Sequence, residues 1–113
     1  MFNIDLQSKI PIYEQIVKQV ERYIMLGILK KEEQLPSVRQ VASELGINPN
    51  TIQKAYSELE NKRLIVSVPG KGNFVNSNSE HLLKSRQEEL INRVKQDIKE
   101  LKELDIDIKE ILK

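Results

Sequence analysis

The residues best suited to chemistry lie between positions 36 and 75. Asn50, Gln53, Lys54 and Ser57 recur at i, i+3, i+4 and i+7, so in a helix they share one polar outer face. Carboxamides at the start of such a helix can bond an adenine bidentately in a DNA major groove, and Asn50 and Gln53 stand where that requires them. Thr51 can bond a backbone phosphate or cap its own helix, and Lys54 supplies charge. Arg39, near the start of the preceding helix, is placed to touch the DNA backbone or reach a guanine. In Val68-Pro-Gly-Lys-Gly72, Gly70 and Lys71 make a turn tip with bare backbone N–H groups and one cation, which suits a phosphate or a groove edge. Each residue also has an ordinary use: Asn48 and Ser37 are good helix caps, and a lone Arg or Lys serves solubility. Their convergence on one face is what points to reading and positioning double-stranded DNA.

Competing chemistries lack their parts. With no cysteine and a single histidine, His81, the chain can form neither a disulfide, a thiolate metal site nor a His-based catalytic or zinc constellation, so no metal and no cofactor are expected. His81 reads as an exposed residue at a helix start. Carboxylates such as Glu89, Glu100 and Glu103 lie among Arg93, Lys95 and Lys99 on a solvated helix side. Pro69-Gly-Lys-Gly72 lacks the spacing and the following Ser/Thr of a nucleotide-binding phosphate loop. The chain is therefore not expected to be an enzyme. No run approaches the roughly 20 apolar residues that span a bilayer, and Met1 to Lys9 does not read as a signal peptide, which predicts a cytoplasmic protein with no membrane partner. The net charge of +1 decides nothing about nucleic acid. Residues 1–77 hold 10 Lys/Arg against 8 Asp/Glu and residues 78–113 hold 8 against 9, so the small basic surplus lies with the candidate face.

The elements that would hold this face can be read from periodicity and caps. Ile12, Ile16, Val20 and Ile24, flanked by Tyr13, Val17 and Tyr23, form the apolar stripe of a first helix, with Pro11 at its first position and Gly27 at its end. Phe2 to Ile4 reads as a short strand or arm before it, and Ile28 to Leu35 as a loop after it. Ser37 and Gln40 form a capping box for a second helix carrying Val38, Val41, Ala42 and Leu45, which Gly46 stops. Asn48 caps a third helix, with Pro49 at its first position, running to about Lys62 and burying Ile52, Ala55, Tyr56 and Leu59. Two short helices joined by Gly46-Ile-Asn48 make a helix-turn-helix. Leu64 to Val68, a type II turn at Pro69-Gly70, and Asn73 to Val75 make a hairpin wing.

Asn76 to Ser79 is turn-prone and marks a boundary, with a DNA-binding domain over 1–77 and a helical tail over 78–113. The tail reads as a long helix from about Glu80 to Leu104, followed by a short one announced by a capping box at Asp107 and Glu110 with Ile106 and Ile111 at staple positions. Leu83, Leu90, Ile91, Val94, Ile98 and Leu101 give the long helix an apolar stripe that so short a second helix cannot cover. A second copy of the same stripe is the surface expected to cover it. The fold class is therefore mainly α with a small β-hairpin wing, a winged helix-turn-helix with a C-terminal helical dimerisation tail. Two copies would place two reading helices on a palindromic operator.

These residues also resemble a family. Leu35-Pro-Ser-Val-Arg39, Val41-Ala42 with Leu45-Gly46, the run from Asn48 to Glu60, and Val68-Pro-Gly-Lys-Gly-Asn-Phe-Val75 look like the GntR family of bacterial regulators, closely over about 9–76. The Asn-Pro-Asn-Thr helix start and the short tail resemble its YtrA-like branch. The resemblance implies that Arg39, Pro49, Asn50, Thr51, Gln53 and Gly70 contact an operator. It further implies a small dimeric repressor of the kind that often controls ABC-transporter operons, too short for the large sensor domains of other branches. A small-molecule effector is left open. Many relatives carry arginine where Pro49 and Gln53 stand, so the base preference should differ and affinity should lean on Arg39, Lys54 and Lys71. Relatives often have a Pro-Gly turn where this chain has Lys30-Lys-Glu-Glu33. The alternative readings are a winged helix that docks on protein, which would want apolar groups on the outer face of the third helix, and one that binds RNA, which would want exposed aromatics.

Overall fold

The computed structural model describes residues 1–113. Its elements are α1 (Ile12–Met25), α2 (Val38–Leu45), α3 (Pro49–Asn61), β1 (Ile65–Val68), β2 (Gly72–Val75), α4 (Ser79–Glu103) and α5 (Ile108–Ile111). Two compact units result, Met1–Leu82 and Leu83–Lys113. The break between them falls inside α4, whereas the polar turn read as a boundary at 77/78 lies just before that helix. No helix is long and apolar enough to cross a membrane.

In the first unit α1, α2 and α3 pack around one core. Ile16, Val17, Val20 and Ile24 of α1, Val41 and Ala42 of α2, and Ile52, Ala55, Tyr56 and Leu59 of α3 are all buried, and Leu64, Ile65 and Val75 of the wing close it. Helix ends follow local chemistry. The Asn48 carboxamide accepts from the Asn50 N–H at 2.8 Å and the Ser37 hydroxyl from the Gln40 N–H at 3.1 Å, each satisfying an amide with no intrahelical partner. The reciprocal half of the Ser37 box is not made: the Gln40 amide turns to Glu44 instead. Pro11 also differs from expectation. It stands at the N-cap of α1 in extended conformation (ψ 147°), its carbonyl accepting the first helical bond from the Gln15 N–H at 3.1 Å. Gly46 takes the left-handed conformation that ends α2. Arg63 takes the same conformation after α3 (φ 63°), where the Leu64 N–H reaches back to the Leu59 carbonyl.

Two segments depart from their sequence reading. Glu32 to Leu35 is more than a loop. The Glu32 N–H donates to the Val75 carbonyl, the Val75 N–H to the Glu33 carbonyl and the Leu35 N–H to the Asn73 carbonyl, so this segment pairs along the free edge of β2, with a bridge at Gln34 and Phe74. Residues 2–4 form no strand but an arm along α1. Gln15, Gln19 and Tyr23, four apart on that helix, offer a ladder of side-chain partners: the Gln15 amide pairs with Asp5, the Gln19 amide with both the N–H and the carbonyl of Asn3, and the Tyr23 hydroxyl donates to the Met1 carbonyl. Phe2, buried, stacks on Tyr23 with ring centroids 6.4 Å apart.

Asn76 ties the end of α3 to the residues between the wing and α4. Its N–H and side-chain amide donate to the carbonyls of Leu64 and Arg63, while its own side-chain and backbone oxygens receive Asn78 and Ser79. In the second unit, α4 ends on a left-handed Asp105 (φ 60°), with Ile106 N–H reaching the Leu101 carbonyl. Asp107 caps α5 through the Lys109 N–H, but Glu110 pairs with Lys113, so that box too is half made. No residue of α5 is buried. The stripe of α4 therefore stands open: Leu90, Ile91 and Val94 are exposed, Val94 at 55%, while Ile98 and Leu101 are half-exposed. Leu83, grouped with them by periodicity, is already buried in the chain itself.

Candidate nucleic-acid interface

Helix α3 is seated by its buried face, and that fixes its outer one. Tyr56 anchors it twice, by its ring in the core and by its hydroxyl, which donates to the Pro36 carbonyl at 2.6 Å. Burial pushes the Tyr56 phenol far above its ordinary range, so it remains a neutral donor and holds the entry of α2 against α3 at any ordinary pH. Lys62 adds an ion pair to Glu21 of α1 at 3.1 Å, partly exposed and so a minor contribution.

On the opposite side, Asn48, Pro49, Asn50, Gln53 and Lys54 are all exposed and Thr51 and Ser57 are half-buried. The structure thus brings the sequence-read residues of α3 onto one surface. Their side chains are not all at liberty. The Asn48 carboxamide oxygen caps the helix, so the Thr51 hydroxyl is not needed for that task. The Gln53 amide donates to the Ser57 hydroxyl at 3.1 Å, a bond at the surface that a base edge can replace. Lys54 extends over the ring of Tyr13 in α1, its Nζ 4.0 Å from the ring centroid. Arg39, second in α2, is exposed and makes no ion pair.

The wing tip forms as a type II turn, with Gly70 at φ 75° and the Lys71 N–H donating to the Val68 carbonyl at 3.0 Å. The expectation of wholly bare amides at this tip is corrected, since closing the turn consumes the Lys71 N–H. The Lys71 side chain remains exposed. A second support, not legible in the sequence, comes from Gln34, whose amide donates to the Lys71 carbonyl at 2.9 Å. A Cβ at Gly72 would sit 2.7 Å from the Gln34 amide nitrogen, the movable end of an exposed side chain, so it is the backbone, at φ 126°, that favours glycine there. Tyr13 and Gln34 both escape pattern reading, because each acts on a residue more than thirty positions away. No cluster of His, Cys, Asp or Glu could hold a metal ion.

Comparison with known proteins places this geometry. Residues 12–75 match the family described as bacterial regulatory proteins, gntR family. Over 101 residues, covering 89% of this chain and 75% of the relative, the sequence is 39% identical to the HTH-type transcriptional repressor YtrA of Bacillus subtilis (strain 168), a span that reaches into α4 and agrees with the YtrA-like branch. A transcriptional regulator from Oenococcus oeni superposes with a TM-score of 0.74 at 36% identity, over 99% of this chain and 96% of that one. The AraR DNA-binding domain, solved in complex with operator ORX1, superposes at 0.59 with 25% identity, over 66% of this chain and 95% of that one. The family match covers more than half of the sequence and contains every element of the helix-turn-helix and wing: this chain belongs to the GntR family of bacterial regulatory proteins.

Proposed function

We propose that the chain is a sequence-specific DNA-binding transcriptional regulator, a cytoplasmic dimeric repressor and not an enzyme, acting on a palindromic operator. The observation that carries this reading is the exposed outer face of α3, where Asn50 and Gln53 present carboxamides and Lys54 a cation, with Arg39 of α2 and Lys71 of the wing tip exposed as well. A face without large apolar groups suits a groove of base edges and phosphates better than a protein surface. Asn50 and Gln53 read bases; Arg39, Lys54, Lys71 and the Gly70 turn grip the backbone; Pro49 and Asn48 shape the helix start. A relative of the same architecture solved with its operator supports DNA as the partner.

The open stripe of α4 supports pairing of two copies through Leu90, Ile91, Val94, Ile98 and Leu101, with Leu83 left little area to contribute. Two reading helices then meet half-sites about 34–36 Å apart or a multiple of it. Kinship with YtrA supports repression, and through the branch's common targets an ABC-transporter operon, as the biological setting. Selection by the purified protein from a random duplex library tests the reading: an enriched inverted repeat is expected, and recovery of no common sequence would overturn it.

A further inference from the structure

Lys54 has an obvious partner that it does not take. Glu58 lies four residues on, one turn along α3, the spacing at which a lysine and a glutamate commonly pair, yet no ion pair forms there. Instead the ammonium sits over the Tyr13 ring, 4.0 Å from its centroid. The ring is itself fixed. Tyr13 belongs to the first turn of α1, is half-buried, and its hydroxyl donates to the Glu14 carboxylate at 3.2 Å. Partial burial, then the Glu14 hydrogen bond and the charges of Glu14 and Glu58, hold its phenol above the ordinary value, so the ring stays neutral.

The two possible partners have opposite consequences for a phosphate. An ion pair with Glu58 would cancel the lysine's charge and occupy its N–H donors. An aromatic face attracts the ammonium through the ring quadrupole without neutralising it, and covers it from one side only. The ring also limits the rotamers of a side chain with four rotatable bonds, whose ordering otherwise opposes each contact it makes. A full charge with open donors, held on the border between α1 and the outer face of α3, is what a backbone contact needs.

We infer that Tyr13 is a positioning residue for DNA binding, which holds Lys54 poised for a phosphate on the side of α3 facing α1 and away from Glu58. This rests on the DNA-binding reading above and assigns α1 a part in it. Lys54 touches the phosphate; Tyr13 acts through Lys54. The effect is independent of base sequence, because it concerns the backbone.

The test uses the full chain, a duplex pool of random sequence and a salt series. Tyr13→Leu, which keeps apolar bulk and removes the aromatic face, weakens binding about two- to fivefold and makes the fall of log K with log salt shallower. Lys54→Ala does the same at least as strongly, and the double variant loses no more than Lys54→Ala alone. Tyr13→Phe, which keeps the ring, binds like the unaltered protein. Full binding by Tyr13→Leu, additive losses in the double variant, or a loss in Tyr13→Phe equal to that in Tyr13→Leu would each overturn the inference while DNA binding stands. An unaltered protein whose binding ignored salt would overturn both together.

Discussion

Gln53 and Lys71 should fail differently when removed. The Gln53 amide rests on Ser57 in the free protein and can exchange that bond for a base edge, so Gln53→Ala changes which duplexes are enriched while leaving affinity for random sequence nearly intact. Lys71 stands on an exposed wing tip held by Gln34, so Lys71→Ala weakens binding to every duplex and lowers the salt slope by about 0.9 for each copy bound. Parallel selection and titration of the two variants checks this, and an equal loss of specificity in both would contradict the division of labour. Tyr56 belongs at this scale too. Tyr56→Phe leaves the Pro36 carbonyl without its donor and should cost about 1 kcal/mol in urea denaturation with an unchanged m-value. A variant as stable as the parent would show that water replaces the hydroxyl.

Helix ends and stripes were the legible part of the elements, because they depend on near neighbours. Asn48, Ser37, Gly46 and Gly70 each act within a few residues of themselves, and α3 began where its cap and Pro49 put it. What escaped was long-range pairing. Glu32 to Leu35 lacks the alternation of a strand and pairs with β2 only because the wing returns beside it. The arm of residues 1–5 is held by Gln15, Gln19 and Tyr23 of α1, whose spacing of four marks a helix face but not what it binds. Both boxes predicted at Ser37 and Asp107 formed only half, since the Gln40 and Glu110 side chains pair with Glu44 and Lys113 on the side away from the cap. Two positions in these connections carry strain that glycine would relieve. Glu32 (φ 66°) occupies the left-handed position of the turn closed by Glu33 N–H on the Lys30 carbonyl, and Arg63 (φ 63°) takes the same conformation at the end of α3. Glu32→Gly and Arg63→Gly should each raise stability by about 0.5–1 kcal/mol. Thermal melting checks this, and a lowered midpoint in either variant would contradict the account.

For the molecule as a whole, the first unit carries the exposed face of α3 and the second an uncovered apolar stripe, and the proposed function needs both. One copy offers three candidate backbone cations, Arg39, Lys54 and Lys71, too few for tight binding at physiological salt; two copies on linked half-sites multiply that weak grip. Val94→Asp places a charge in the middle of the stripe, at a position exposed in the single chain, so it should leave the fold intact and shift the protein to a monomer in sedimentation. A dimer that persisted would move the pairing surface elsewhere. In the proposed function, α3 and the wing of two copies grip a duplex through exposed cations. Titration of the intact protein onto the duplex it selects, across a range of salt, tests this most directly. Six backbone cations predict log K falling linearly with log salt at a slope of about −5, and a slope near zero would contradict the account.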